Sequence, residues 1–310
     1  MVDLSIIIVS FNSRKYLDQC LKSICKDPTE VSHELIIVDN HSSDGSVEFV
    51  QRAYPKVRII INKENRGFAA GNNQAFGVAQ GRYLLLLNPD TIVQKGSLAE
   101  LVSFMDSHDR CGVAGAGLLN IDGKAQPTGV KFPGLWNMFV ESVFLDRLFP
   151  RSRIFGRHKE RYEDSMAPRP VDYVQGSCLI VRSSILAEVG SLDERFFMYF
   201  EEVDWCWRVT EAGWHVFLCP AVRIVHIGGE TMGHFDEHRL MYYHRGLLLF
   251  TTIHYGAGRT VLFRILICWR SLIRLVVWLA VAASQPSLRR TALSSIRGYL
   301  GTFRIVVLNR

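Results

Sequence analysis

Short apolar runs alternate with segments of helical periodicity from residue 4 to residue 116. The runs, mostly rich in Ile, Leu and Val, lie at 4–9, 35–38, 57–61, 83–87 and 112–116. Such runs are typical of strands that are buried on both faces of a sheet. Between them, apolar residues recur every three or four positions, as on one face of a helix. This alternation predicts an α/β fold, with a mostly parallel sheet that carries helices on both faces.

Small polar or acidic side chains follow four successive strands of the predicted sheet. They are Ser10 and Asn12 after the first strand, Asp39 after the second, Asn65 after the third, and Asn88 and Asp90 after the fourth. In an open α/β sheet, ligands bind outside the carboxyl ends of the strands. The pattern therefore predicts a binding site at that edge of the sheet.

Asp90 is a candidate metal ligand, since it ends a strand in a turn that Pro89 constrains. A carboxylate there can bind a hard divalent cation, Mg²⁺ or Mn²⁺, which would bridge the oxygens of a diphosphate. His226 ends a later strand and could be a second ligand through its imidazole. The alternatives are an ordinary turn-forming Asp and a structural His.

Asp39 is a candidate nucleoside contact. Its carboxylate could accept a hydrogen bond from the ring N–H of uracil or thymine, or from a ribose hydroxyl. Alternatively, it caps the helix that is predicted to start near Ser43.

The stretch 196–208, FFMYFEEVDWCWR, places three acids among aromatic residues. Glu201, Glu202 and Asp204 would be costly to keep ionised there without a metal, a partner or a proton. They would also suit the first turn of a helix, at the positive end of its dipole. Asp204 has an ion-pair partner four residues on, in Arg208, whereas Glu202 has Cys206 there. Glu202 is therefore the better candidate for a general base, and Asp204 remains the alternative base or an orienting neighbour.

Several classes of site are absent from the sequence. It has neither a GxxxxGK[ST] phosphate loop nor a GxGxxG motif after the first strand. Its seven cysteines form no CxxC pair, which favours free thiols in a reducing compartment. The chain begins with a strand rather than with the basic and apolar regions of a secretory signal, so we expect a cytoplasmic location.

Residues 118–172 interrupt the alternation with five prolines and a basic stretch, which predicts a long excursion from the sheet. Residues 173–181 then return to strand, with a bulge or a close ligand approach expected at Gly176-Ser177. Strands at 215–219 and 222–225 complete the predicted domain, residues 1–230.

The remaining residues, 231–310, carry the net positive charge of the chain. After His226 there are eleven Arg, no Lys and three acids, and no acid follows Glu237. Residues 261–283 are largely apolar, but Arg264, Arg270 and Arg274 form a basic stripe at helical spacing. We expect an interfacial helix on an anionic membrane surface, with a buried helix or a spanning segment as alternatives. Nucleic acid is a poorer partner, because apolar residues separate the arginines.

Several strings along the chain together resemble the inverting family 2 glycosyltransferases, which have the GT-A fold. The strings are VSFN (9–12), VDNHSSDGS (38–46), NRGFAAGNN (65–73), LLNPD (86–90), DYVQGSCLIVR (172–182), GSLDERFFMYFEEVDWCWR (190–208) and VHIGGE (225–230). From the first to the last, they span about two thirds of the chain, in the order of the family. The fourth and sixth strings look most like the rhamnosyltransferase-type branch.

The resemblance implies a nucleotide-sugar donor, a divalent metal and in-line displacement at the anomeric carbon. It implies that Asp39 holds the base, that Asp90 and His226 bind the metal, and that Glu202 is the catalytic base. Asn88 stands where many relatives carry the first Asp of an Asp-x-Asp motif. This departure from the family bears on how tightly the metal is held and on whether Asn88 contacts the sugar instead. The other residues assigned to the nucleotide-sugar cleft are Ser10, Asn12, Asn65, Gly67 and Asn72.

The hypothesis is therefore a transferase that moves L-rhamnose from dTDP-rhamnose to a lipid-linked glycan, at the inner face of a bacterial membrane. The product would be a cell-surface polysaccharide. The alternatives are a transferase for another, UDP-linked sugar, a nucleotidyltransferase that makes the activated sugar, and a sugar-binding module without activity.

Overall fold

The structure is a computed structural model. It describes residues 2–27, 31–126, 128–149, 152, 154–156, 159–160, 166–228 and 237–308. These residues group into two compact units, one of Met1–Val130, Lys159–Phe197 and Glu201–Thr231, the other of Lys131–His158, Met198–Phe200 and Met232–Arg310. Gly229 and Glu230 of the VHIGGE string, and part of the basic stretch from Arg147 to Arg161, lie outside the described residues.

The strands all belong to the first unit. They are β1 Leu4–Ser10, β2 His33–Asp39, β3 Arg58–Ile61, β4 Tyr83–Leu87, β5 Thr91–Val93, β6 Cys111–Leu119, β7 Gly129–Val130, β8 Lys159–Glu160, β9 Arg169–Pro170, β10 Tyr173–Val174, β11 Cys178–Arg182 and β12 His215–His226.

The helices are α1 Arg14–Lys26, α2 Ser46–Ala53, α3 Gly67–Phe76, α4 Ser97–Ser107, α5 Leu135–Ser142, α6 Leu145–Leu148, α7 Ile185–Val189, α8 Glu201–Glu211, α9 Glu237–His254, α10 Gly256–Ser284 and α11 Arg289–Leu308. A 3₁₀ turn, Pro286–Leu288, connects the last two. Helices α5, α6 and α9 to α11 belong to the second unit.

The main sheet has the order β3-β2-β1-β4-β11-β6-β12-β5, and β9 pairs with β12. Strands β3, β2, β1 and β4 are parallel to one another, and β6 and β12 run in the same direction. Strand β11 is antiparallel between β4 and β6, and β5 is antiparallel to β12. The prediction of a mostly parallel sheet is confirmed. Because of these directions, the carboxyl ends of β1, β2, β4 and β12 lie at one edge.

Helices pack on both faces of this sheet, as the sequence predicted. On one face, Ile6 and Ile8 of β1 share a buried core with Leu17 and Leu21 of α1. The next residue of β1, Val9, points to the opposite face. There its side chain lies against Gly71 of α3, where an added Cβ would come within 2.9 Å of Val9 Cγ1. The small residues of α3 thus allow the helix to approach the strand closely.

The stretch predicted as one strand, 173–181, is instead two. Strand β10 belongs to a small second sheet, in the order β10-β7-β8, whereas β11 lies in the main sheet. Strand β10 crosses close to β6, since a Cβ on Gly115 would lie 2.6 Å from Val174 Cβ. Gly176 and Ser177 therefore make the passage between two sheets rather than a bulge within one strand.

In the second unit, the arginines of the α10 stripe have partners from other segments of that unit. Arg264 Nη1 donates a hydrogen bond to the Val306 carbonyl oxygen at 2.7 Å. Arg270 Nη1 lies 3.3 Å from Glu141 Oε2. The guanidinium carbon of Arg274 lies 3.8 Å from the centroid of the Phe144 ring. The stripe therefore lies against segments of the second unit that supply acceptors and an aromatic face, which the local sequence of α10 cannot reveal.

Candidate active site

The ends of β1 and β2 bring Ser10 and Asp39 side by side, as paired residues in the parallel register. Asp39 is only 2% exposed. Its Oδ2 accepts a hydrogen bond from the Ser42 N–H at 2.8 Å. Its Oδ1 is buried and has no hydrogen-bond partner within the described parts of the chain. Asp39 therefore both supports the turn after β2 and keeps one acceptor for another molecule.

Asn12 links the loops that follow β1 and β2. It has a positive φ of 48°, a conformation that Asn tolerates better than most residues. Its Oδ1 accepts a hydrogen bond from the Ser43 N–H at 2.8 Å, and its own N–H donates to Ser42 Oγ at 2.9 Å. Asn12 thus holds two walls of the candidate site together.

The start of α3 is built around Gly67. Asn65 Oδ1 accepts a hydrogen bond from the Gly67 N–H, and Asn40 Nδ2 donates to the Gly67 carbonyl oxygen, both at 2.9 Å. Gly67 has a φ of +83°, and a Cβ there would lie 2.4 Å from the Phe197 carbonyl oxygen. A glycine is required both by this φ and by the close approach of Phe197. Within α3, Asn72 donates to the Phe68 carbonyl oxygen at 2.9 Å.

Asp90 and His226 meet where β5 pairs with the end of β12. Asp90 Oδ1 lies 3.4 Å from His226 Nε2. The other carboxylate oxygen, Oδ2, lies against Gly228 and leaves no room for a Cβ there. The Asp90 carbonyl oxygen accepts a hydrogen bond from the Ile227 N–H at 2.8 Å. The backbone thus holds the Asp90 carboxylate against the histidine ring.

Gln126 orients His226. Gln126 Nε2 donates to the His226 carbonyl oxygen at 2.8 Å and to Asn120 Oδ1 at 2.6 Å. These two bonds leave Gln126 Oε1, 3.0 Å from His226 Nδ1, as the acceptor of a ring N–H. In the neutral tautomer that this contact selects, Nδ1 carries the proton and the Nε2 lone pair faces Asp90. Two electron-pair donors therefore face each other, an arrangement suited to a cation.

These residues fit a Mg²⁺ or Mn²⁺ ion that is shared with a substrate. Within the described ranges, no group of three His, Cys, Asp or Glu side chains could hold a metal ion. Mg²⁺ is commonly held by one or two carboxylates together with substrate phosphates. Asn88 contributes to the same turn through its backbone, which donates to the Ser177 carbonyl oxygen at 3.0 Å and accepts from Thr91 Oγ1 at 2.7 Å.

The two candidate bases, Glu202 and Asp204, both lie on α8 but have different surroundings. Asp204 is buried, and its Oδ2 accepts a hydrogen bond from Arg208 Nε at 2.8 Å. Arg208 also donates to the carbonyl oxygens of Val189 and Ser191. Through Arg208, Asp204 thus connects α8 to the segment that precedes it. Glu202, in the first turn of the helix, is half-buried. The chemistry favours Glu202 as the acceptor of a proton from a bound molecule.

Glu202 lies at the same edge as the Asp90 turn. A Cβ on Gly176 would lie 3.9 Å from Glu202 Cβ, and the next residue, Ser177, bonds to Asn88 as described above. Glu201, beside Glu202, is buried, and this burial raises the pKa of its carboxyl group well above the usual range. The charge of Glu202 raises that pKa further. Tyr199 and Phe200, directly before α8, have positive φ values of 67° and 75°, a form of backbone strain that is common near active sites.

Two residues of this site were missed by the sequence analysis. Asn40 follows Asp39 directly, and its place at a strand end was a usable signal. Gln126 lies in the 118–172 excursion, 100 positions from the histidine it contacts, and no motif marks it. The cysteines do not provide a nucleophile here, since burial raises the pKa of the Cys20, Cys178 and Cys206 thiols to about 12.

Comparisons with known sequences identify similar proteins. Residues 5–190 match the family model described as Glycosyl transferase family 2. An N-acetylglucosaminyl-diphospho-decaprenol L-rhamnosyltransferase of Mycobacterium tuberculosis is 29% identical over 259 residues, which are 80% of this chain and 83% of that protein. Rhamnosyltransferase WbbL of Escherichia coli (strain K12) is 27% identical over 230 residues, 71% of this chain and 82% of the relative.

The fold is also found in solved structures. The mannosyltransferase PcManGT from Pyrobaculum calidifontis, in complex with GDP-Man and Mn²⁺, superposes with a TM-score of 0.61. The match covers 99% of this chain and 87% of that one, at 14% sequence identity. At this identity the likeness is one of fold.

Proposed function

The chain belongs to glycosyl transferase family 2, and from this membership we propose that it transfers a sugar to a lipid-linked glycan for a bacterial cell-surface polysaccharide. The proposal is supported by the strand directions, because Asp39 and the Asp90–His226 pair follow strands that end at one edge of the sheet. Glu202 lies beside Gly176, next to the Ser177–Asn88 contact at that edge. The names of the two rhamnosyltransferase relatives support L-rhamnose as the sugar. The donor would be dTDP-rhamnose.

The nucleotide would be bound at the ends of β1 and β2. Asp39 Oδ1, which has no partner within the described chain, would accept the ring N–H of the base. Thymine and uracil both present this N–H, so a UDP-linked sugar is the second candidate. The residues that would line the rest of the nucleotide-sugar cleft are Ser10, Asn12, Asn65, Gly67, Asn72 and Asn88.

Asp90 and His226 would hold a divalent cation next to the diphosphate. When bound, the cation supplies positive charge that stabilises the departing nucleoside diphosphate. Asp90 would contribute its carboxylate oxygens. His226 contributes the Nε2 lone pair, which the hydrogen bond from Nδ1–H to Gln126 leaves available.

Glu202 would accept the proton of the acceptor hydroxyl as that oxygen attacks the anomeric carbon. Displacement of the nucleotide by this oxygen in one step inverts the anomeric configuration. Asp204 is the weaker candidate for the base, since its carboxylate is already engaged by Arg208. Its role would be to hold α8, and with it Glu202, in place.

A donor screen tests the proposal. The protein is incubated with a panel of dTDP-, UDP- and GDP-sugars, with Mg²⁺ or Mn²⁺ and a polyprenyl-diphosphate-linked acceptor. We expect release of nucleoside diphosphate that requires the metal and is fastest with dTDP-rhamnose, and a product with inverted configuration. Release of pyrophosphate would instead indicate a nucleotidyltransferase. Release of neither, with all donors, would contradict transferase activity.

A lipid-linked acceptor would place the enzyme at the inner face of the cell membrane. In the part of the chain that is described, α10 is long and apolar enough to cross a membrane by length and composition. This property supports membrane association, either by a spanning helix or by a helix on the membrane surface.

A further inference from the structure

The exposed side of α10 is apolar along its length. Its exposed large side chains include Val261, Leu262, Ile265, Trp269, Leu272, Val276 and Leu279. At 100° per residue these fall within an arc of roughly 100°; we call this surface the outer face of α10. The buried residues of the helix, Thr260, Phe263, Ile267 and Ser271, lie on the opposite side.

The charges of α10 lie on that opposite side. Arg264, Arg270 and Arg274 are held within the second unit by a carbonyl oxygen, by Glu141 and by an aromatic ring. This distribution is the reverse of a helix on the surface of a soluble domain, where apolar residues face inward. A contiguous apolar surface of this size marks an interaction site.

Basic residues border the outer face at both ends. Arg259 is exposed two residues before Val261, and Arg289 and Arg290 are exposed at the start of α11, after the 3₁₀ turn that follows α10. Arg297 and Arg304 are exposed on α11. No acidic residue follows Glu237 in the sequence. An apolar strip between basic ends is complementary to anionic lipid, with acyl chains below the strip and phosphates at its ends.

We infer that α10 lies in the plane of an anionic membrane, with its outer face among the acyl chains and the arginines at its ends on headgroup phosphates. This inference rests on the proposed membrane-linked acceptor, and it specifies how the protein reaches that acceptor. A membrane-spanning α10 would bring the Arg270–Glu141 pair into the hydrocarbon, where charges are costly. A second copy on this face would bring the two sets of basic ends together.

Flotation of the full chain with lipid vesicles tests the inference. We expect binding to phosphatidylcholine vesicles that contain phosphatidylglycerol, and only partial release by high salt, because the apolar contact is not screened. Ile265→Gln should lower the partition coefficient about tenfold, since one apolar side chain would no longer transfer from water to the acyl chains. The triple variant Ile265→Gln, Leu272→Gln, Val276→Gln should lower it at least about a hundredfold.

Ile121→Gln is the matched control, because Ile121 and Ile265 are 65% and 59% exposed and Ile121 belongs to the first unit. It should bind vesicles like the wild type. Brominated acyl chains should quench tryptophan fluorescence in the wild type and quench it less in Trp269→Phe. Since the substituted residues are exposed, the thermal unfolding midpoints should not fall, which separates weaker binding from misfolding.

Three results would overturn the inference. They are equal effects of Ile265→Gln and Ile121→Gln, resistance of the membrane-bound protein to alkaline carbonate extraction, as expected of a spanning segment, and a lipid-free dimer that the triple variant dissociates. None of these depends on sugar transfer. Donor turnover is measured separately in detergent, so failure of the inference and failure of the proposed function are distinguishable.

Discussion

At the scale of single residues, the two acids of α8 should respond differently to loss of charge. Glu202→Gln should lower kcat about 10²-fold or more and leave the KM for the donor nearly unchanged, since only proton transfer is lost. Asp204→Asn should instead lower the free energy of unfolding by about 3 kcal/mol, because Arg208 would lose a buried partner. Steady-state kinetics and thermal unfolding of both variants provide the comparison.

The opposite pattern would reassign the base. If Glu202→Gln stays active while Asp204→Asn folds normally and loses turnover, Asp204 accepts the proton. Glu211→Gln, at the exposed end of the same helix, controls for the effect of removing an acid from α8.

Gln126 should determine how well the Asp90–His226 pair binds Mn²⁺. Gln126→Leu removes both the acceptor for His226 Nδ1–H and the amide that bonds to the His226 backbone. The ring is then free to rotate and to change tautomer. We expect Mn²⁺ affinity to fall about 10- to 100-fold, as measured by electron paramagnetic resonance of free Mn²⁺ without a donor. Exposed Gln94→Leu should have no effect, and unchanged affinity in Gln126→Leu would contradict the positioning role.

Individual residues also show what a sequence can reveal about such a site. Asp39 and Asp90 could be proposed because a parallel sheet places successive strand ends at one edge. Glu202 could be separated from Asp204 because helical spacing gives only Asp204 a basic partner. Gln126 could not be proposed, since its hydrogen bonds depend on how a non-repetitive segment folds back onto β12.

At the scale of elements, the first turn of α8 should destabilise the protein as pH rises. The pKa of Glu201 is raised by burial and by Glu202. A raised pKa in the folded state means that stability is fully present below the unfolded pKa and is lost as pH rises through the folded pKa. Glu201→Gln should therefore raise the thermal unfolding midpoint relative to wild type by more at pH 8 than at pH 5. A difference that is independent of pH would mean that Glu201 ionises normally, and Glu211→Gln serves as the control.

Two segments show what a local sequence pattern leaves out. The β-branched run at 173–181 has the local pattern of one strand, but the contact between Gly115 and Val174 carries its first half into another sheet. The arginines of α10 have the spacing of an outer stripe, but Glu141 and the Val306 carbonyl oxygen pair with them from distant segments. The periodicity of a sequence shows which residues share a face of an element. Contacts with distant segments determine whether that face packs against protein or is exposed to solvent.

At the scale of the whole molecule, the C-terminal residues are more than an appendage that begins at residue 231. Their compact unit also includes Lys131–His158 and Met198–Phe200. Tyr255 Oη, for example, donates a hydrogen bond to the Pro133 carbonyl oxygen at 2.8 Å. A composition shift marks residues 231–310 in the sequence, but it cannot show that two earlier segments fold with them.

Deletion of residues 231–310 should therefore leave an incomplete protein. Within the second unit, Phe200 is buried, with its ring centroid 6.0 Å from that of Phe250. Met138 and Val140 of α5 are also buried. Loss of α9 to α11 would expose these side chains, each at a cost of about 2 kcal/mol, so we expect aggregation or a much lower unfolding midpoint.

Phe200→Ser should then act in opposite directions in the two backgrounds. In the full chain it removes a buried ring and should lower the free energy of unfolding by about 3–5 kcal/mol. In the chain that ends at residue 230 it replaces an exposed ring and should increase the soluble yield. Thermal unfolding of the full chain and soluble yield of the shortened chain measure the two effects. A shortened chain that unfolds at the wild-type midpoint would show that the first 230 residues are complete by themselves.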